Sequence, residues 1–103
     1  MPNMNSTIND FRLTSTALED LREIARYTRN KWGAAKQNLY LTALDNKFSW
    51  LAKNYDVGKA RDEIKKRYFS YPEGRHIIFY RIKKESVEIL GILHQSMDVK
   101  LHL

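Results

Sequence analysis

The sequence contains no cysteine, which removes disulfide frameworks and thiolate zinc sites from consideration. That composition fits a reducing compartment, and a cytoplasmic location is the expectation. Glycine occurs only at positions 33, 58, 74 and 91. These are too scattered to build a phosphate loop, a dinucleotide fingerprint or a nucleophile elbow. No apolar run approaches the ~20 residues needed to cross a bilayer, so no membrane partner is expected. The opening MPNMNSTIND is polar and lacks the apolar stretch of a secretion signal. Internal repeats and low-complexity tracts are missing as well.

What remains is the composition of one globular domain: 103 residues, 43% hydrophobic and 29% charged. The net charge of +6 is unevenly spread. Residues 1–58 hold eight basic against six acidic side chains, residues 59–84 nine against three, and residues 85–103 one against three. The excess basicity is therefore local to one segment, which suits nucleic acid, an acidic protein or a solvated face.

Residues 1–9 read as a flexible arm, with residues 10–103 forming the domain. Asp10 to Thr14 alternates apolar and polar, a short strand for a sheet edge. Thr16-Ala17-Leu18-Glu19 has the spacing of a capping box, opening a helix with Leu18, Leu21, Ile24, Ala25, Thr28 and Trp32 on one stripe. Gly33 stops that helix, and a second runs from about Ala34 to Lys53, forming an antiparallel hairpin with it. Tyr40, Leu41, Leu44, Phe48, Leu51 and Ala52 make the apolar face of the second helix. Leu39, Ala43 and Trp50 form a further stripe, which either packs on the first helix or receives a partner.

After a turn at 54–58, Lys59 to Lys66 is highly charged, with Ile64 as its apolar anchor. Strands are expected at 67–71, at Ile77 to Tyr80 and at Val87 to Leu93. The last two do not alternate cleanly, so both should be covered on both faces. The order is β-α-α-β-β-β with a closing antiparallel meander, an α+β architecture with the helical hairpin on one face of the sheet.

The chemistry on offer is sparse. Ser96, His94 and Asp98 are too close in sequence to converge as a nucleophilic triad, and the three histidines lack the i, i+4 spacing of a helical metal site. No cofactor is implied. A general acid–base nuclease needs cations around a phosphorane and a proton shuttle; Arg67, Arg75, Arg81 and His94, on adjacent expected strands, are the candidates. Arg75 and Arg81 are six apart and should share a strand face opposite His76 and Tyr80. The competing reading is that these arginines simply cap the sheet.

Several fragments, in order, carry a resemblance. They are Phe11-x-Leu13-Thr14, Ala17-x-x-Asp20-Leu21-x-x-Ile24, Tyr27, Trp32-Gly33, Tyr40, Leu44, Phe48, Leu51-Ala52, Gly58 and Arg61-Asp62-Glu63. The most specific are Gly74-Arg75-His76-x-Ile78-Phe79-Tyr80-Arg81 and Ile89-Leu90-x-Ile92-Leu93-His94-Gln95-x-Met97-Asp98. From about Phe11 to Leu101 the chain resembles ParE toxins of the wider RelE/ParE toxin–antitoxin superfamily. Where such proteins often carry proline after helix two, this chain has Asn54-Tyr55-Asp56.

The resemblance implies the same β-α-α-β-β-β fold and a toxin, not an enzyme, that inhibits DNA gyrase and so replication. It also implies a ParD-like ribbon-helix-helix antitoxin, through which operator DNA is contacted only indirectly. Leu39, Ala43, Trp50, Arg67, Arg75 and Arg81 are the expected antitoxin contacts; His94, Gln95, Met97 and Asp98 are the expected gyrase contacts. The RelE branch instead cleaves mRNA on the ribosome with basic residues and a tyrosine near the C-terminus, and here no tyrosine follows Tyr80. That ribonuclease activity, or an inactive homologue, is the alternative.

Overall fold

The computed structural model describes residues 10–103 except Glu85, so the arm expected at 1–9 lies outside the described residues. A short strand β1 (Phe11–Leu13) leads into the hairpin of α1 (Ser15–Trp32) and α2 (Ala34–Lys53). A single 3-10 turn at Tyr55–Val57 and a two-residue strand β2 (Lys59–Ala60) follow. The chain then forms β3 (Tyr68–Glu73), β4 (His76–Ile82), β5 (Val87–His94) and a short helix α3 (Val99–His102). The strands make one sheet in the order β1-β5-β4-β3-β2. β3, β4 and β5 are the expected antiparallel meander, and β1 lies at the edge, parallel to β5 with Phe11 opposite Val87.

The start of α1 differs from the capping box. The cap is Thr14, two residues earlier, whose Oγ1 accepts from the Ala17 N–H at 3.1 Å. The same hydroxyl donates to the Leu90 carbonyl at 3.1 Å, fastening the helix start to β5. Thr14 wins because β1 ends at Leu13, so the chain must already turn there. Gly33 closes α1 at φ 94, its N–H on the Arg29 carbonyl, and α2 begins at once.

Two clusters cover the two sheet faces, as the unbroken apolar runs required. Under the helices, Ala17, Ile24, Leu44, Phe48, Leu51 and Ala52 pack on Ile78, Tyr80, Val87, Ile89 and Ile92. On the other face, Phe79, Leu90 and Leu93 are covered by Ile64, Tyr68 and Ile77 and by Val99 and Leu103 from the C-terminal end. A register shift between Phe79 and Tyr80 leaves Leu90 without a partner on β4, so Leu90 and Ile92, two apart, face opposite clusters. The α1 stripe is rotated from the expected one: Ala17, Asp20 and Ile24 are buried, whereas Leu18 is 40% and Trp32 59% exposed. Helical periodicity alone cannot see that α1 must pack on β5 and α2 at once.

Asp20 has a specific task. Past β1, the outer edge of β5 has no strand beside it among the described residues, and Asp20 Oδ2 accepts from the Ile92 N–H at 2.9 Å. A buried carboxylate thus replaces a missing strand.

Candidate docking groove

The α1–α2 hairpin stands away from one end of the sheet, leaving a groove of about 850 Å³. Its apolar lining comes from Ile24, Tyr27 and Trp32 of α1, Ile92 of β5 and Met97 beyond it. Tyr27 is 60%, Trp32 59% and Met97 44% exposed, a large aromatic surface that the fold itself does not use. Lys31 ties the two rings together, its Nζ 5.6 Å from each ring centroid and 3.2 Å from the Tyr27 hydroxyl.

The groove is electrically polarised along its length. Glu19, Asp20 and Glu23 line one end, while Lys31, Lys36 and Arg75 line the other. Along α1 these ends are roughly 18 Å apart, at about 1.5 Å per residue.

The floor near the basic end is a fixed hydrogen-bond cluster. The Tyr40 hydroxyl donates to the Glu73 carbonyl at 3.1 Å and lies 2.7 Å from His76 Nδ1, which then carries the proton between them. Gly74 makes this possible: its φ is 60, and a Cβ there would lie 2.9 Å from the Tyr40 hydroxyl. Burial, reinforced by Glu73, raises the Tyr40 pKa above the usual tyrosine value. Burial, with His94 nearby, lowers that of His76 below the usual histidine value, against the opposing pull of Asp20. His76 is therefore neutral at pH 7. His94 packs edge-on to it with centroids 5.7 Å apart, while its Nδ1 lies 2.9 Å from Ser96 Oγ. His102 joins from α3, its Nε2 2.8 Å from Asp20 Oδ1.

The sequence-derived residues are only partly gathered here. Arg75, His94 and Met97 line the groove. Gln95 is exposed in the turn after β5, and Asp98 accepts from the Lys100 N–H at 3.0 Å, capping α3. Leu39 is 67% exposed on α2 and Ala43 is half-buried. Trp50 packs at a tilt against Tyr71 of β3 with centroids 5.3 Å apart, so this stripe does not simply pack on α1. Lys47, the one charge in that arc, sits 4.7 Å above the Trp50 ring and 3.8 Å from Glu73.

The arginines do not converge. Arg75 lies in the β3–β4 turn and not on a strand, Arg67 precedes β3, and Arg81 pairs with Glu88 at 2.6 Å across the ladder. Arg67 and Arg75 sit at opposite ends of β3, roughly 20 Å apart at ~3.3 Å per residue. Periodicity placed Tyr40 on the apolar face of α2 without a role in a site, and it singled out none of Tyr27, His76 and His102 as site residues. The usable signal was the aromatic-cation-aromatic run Tyr27, Lys31, Trp32, which is an unusual face for a core helix.

Solved structures with this arrangement come from toxin–antitoxin systems. A chain of the chromosomal ParDE system from P. aeruginosa superposes with a TM-score of 0.72 at 18% identity, covering 86% of this chain and 98% of that one. A chain of the RelBE2 toxin–antitoxin complex from Mycobacterium tuberculosis gives 0.60 at 24%, covering 84% and 98%. The fold is thus the two-helix, five-strand α+β fold of the RelE/ParE class.

The family model for the ParE toxin of the type II toxin-antitoxin system, parDE, matches residues 11–99. Toxin ParE1 of Mycobacterium tuberculosis (strain H37Rv) is 34% identical over 90% of this chain and 96% of that protein. Toxin ParE1 of Caulobacter vibrioides is 31% identical over the same shares. Toxin ParE of Escherichia coli is 33% identical over 88% and 89%. The chain belongs to the ParE toxin family of type II toxin–antitoxin systems.

Proposed function

We propose that this toxin acts by binding and not by catalysis: it inhibits DNA gyrase, blocking replication, and a ParD-like ribbon-helix-helix antitoxin neutralises it by laying a tail segment in the groove. The observation that carries the docking is the groove itself, walled by Ile24, Tyr27, Trp32, Ile92 and Met97 and lined by opposite charges at its ends. An amphipathic helix suits both features. Its basic end would face Glu19 and Glu23, and its acidic end Lys36 and Arg75.

Family membership supports gyrase as the target, with the turn from His94 to Asp98 as the contact. His94 and Met97 belong both to that turn and to the groove wall. A tail in the groove therefore covers part of the gyrase contact, and the two partners exclude each other. The dispersal of Arg67, Arg75 and Arg81 speaks against a ribonuclease, because no cluster of these cations surrounds one phosphate. In the cytoplasm this is a protein-on-protein poison with no cofactor.

The test is gyrase supercoiling and ribosome-bound mRNA cleavage assayed side by side with the purified chain. Blocked supercoiling, relieved by antitoxin and without mRNA cleavage, is the expected result. Cleavage with supercoiling intact overturns the reading.

A further inference from the structure

The end of the sheet away from the groove carries cations that the fold leaves unneutralised. Tyr68 pairs with Arg81, so the turn entering β3 lies beside the turn leaving β4. The first closes with the Tyr68 N–H on the Lys65 carbonyl at 3.2 Å, the second with the Lys83 N–H on the Ser86 carbonyl at 2.7 Å. Lys65, Lys66, Arg67, Lys83 and Lys84 are all exposed, and among the described residues none forms an ion pair. The sequence places one acid in these turns, Glu85. Like charges held side by side destabilise the free protein, and a polyanion relieves them.

Backbone geometry points the same way. Arg67 has φ 71, and no other non-glycine residue among those described has a positive φ. It is the third residue of its turn, a position that favours glycine or asparagine. A sequence shaped only for folding has no reason to hold a long cation in that conformation. Strain of this kind persists where a side chain is wanted in place.

The surroundings narrow the ligand. Ile64 and Tyr68, the apolar residues beside the turns, pack inward on the Phe79, Leu90 and Leu93 cluster. Those two residues therefore offer the turns neither the apolar centre of a protein interface nor an exposed ring on which single-stranded bases could stack. Cations without either feature match a phosphodiester backbone.

We propose that the paired turns at Lys65–Arg67 and Lys83–Lys84 bind the phosphate backbone of a nucleic-acid duplex, independently of sequence and independently of the groove. The toxin then holds protein at one end of the sheet and nucleic acid at the other.

The test is fluorescence anisotropy of the full chain with labelled DNA and RNA duplexes of about 20 base pairs, between 50 and 200 mM salt. With about four phosphates neutralised, log K against log salt should fall with a slope of about −3.6, weakening binding roughly 100-fold over that range. The Lys66→Ala, Arg67→Gly, Lys83→Ala triple variant should lose about 2.7 of that slope. Arg67→Gly alone should bind more weakly with a slope about 0.9 shallower, while its Tm is unchanged or raised. Arg29→Ala, on the far end of α1, should leave the slope unchanged. Binding to both duplexes supports backbone recognition, and binding to one alone supports it while naming the source. A wild-type slope shallower than about −1 overturns the proposal. So does a triple variant with the wild-type slope. Displacement by polyglutamate as effective as by unlabelled duplex also overturns it, since the surface would then serve acidic protein.

Discussion

Asp20 and His102 stand 82 positions apart and meet at 2.8 Å, with the other Asp20 oxygen held by the Ile92 N–H at 2.9 Å. One carboxylate therefore finishes the open edge of β5 and fastens the C-terminal helix to the first helix. Asp20→Ala removes both partners and leaves a buried backbone N–H unpaired, which should cost about 2–3 kcal/mol. Chemical denaturation measures it. Because α3 is released in the same variant, hydrogen exchange in β5 should rise near Ile92 before it rises near Val87, which β1 still covers.

Trp32 and Trp50 should separate affinity from stability. Trp32 is 59% exposed in the groove, so Trp32→Glu should weaken antitoxin binding at least tenfold by calorimetry while thermal unfolding stays within about a degree or two of wild type. Trp50, packed at a tilt against Tyr71 beneath Lys47, should behave in reverse. Trp50→Glu sets a carboxylate against the Tyr71 ring and should lower stability by about 1–2 kcal/mol. Loss of antitoxin affinity in Trp50→Glu with unchanged stability would return the antitoxin site to α2.

Stability should fall on acidification through His76. Its folded pKa lies below the usual 6.5 because burial, and then His94, disfavour the cation. The unfolded chain thus binds the proton first. Sign follows: the folded state is unpenalised above about pH 6.5, and stability declines as pH drops below the unfolded value. The decline ends once the folded pKa is passed. Tyr40, Glu73, His94 and Asp20 are the titratable groups that bear on this ring. His76→Gln keeps a hydrogen-bonding group toward Tyr40 and should flatten the loss between pH 7 and pH 5. An unchanged profile assigns the pH dependence elsewhere.

Gly74→Ala combines a left-handed φ of 60 with a Cβ 2.9 Å from the Tyr40 hydroxyl. About 1–2 kcal/mol should be lost, and the Tyr40 to His76 hydrogen bond should loosen. The His76 ring protons in NMR report that loosening directly.

Most of the architecture was legible because it follows from short-range chemistry. The two helices break at Gly33, and the α2 face from Leu44 to Ala52 packs where its spacing puts it. The unbroken run from Val87 to Leu93 required cover on both faces, and two clusters supply it. What escaped depends on partners far away in the chain. Thr14 outcompetes Thr16 as a cap because β1 ends beside β5, and Trp32 turns outward because α1 must serve α2 and β5 together. Two-residue β2 and four-residue α3 are too short to show a period. The candidate site was read least well. Arg75 and Arg81 share a face only on a continuous strand, and β4 begins at His76, after the turn at Gly74–Arg75. His94 and Met97, near in sequence, both line the groove, whereas His76, His102 and Tyr40 join them only through tertiary contacts.

The parallel pairing of β1 with β5 also sets an order in time. Phe11 waits for Val87, and Asp20 for Ile92, so the first-made strand stays unpaired until almost the whole domain has left the ribosome. The groove needs α1 and the end of β5 as its two walls. A nascent chain stalled before β5 therefore has no groove. Under the proposed reading, harm and its remedy become available in the same instant, when the last strand closes the sheet.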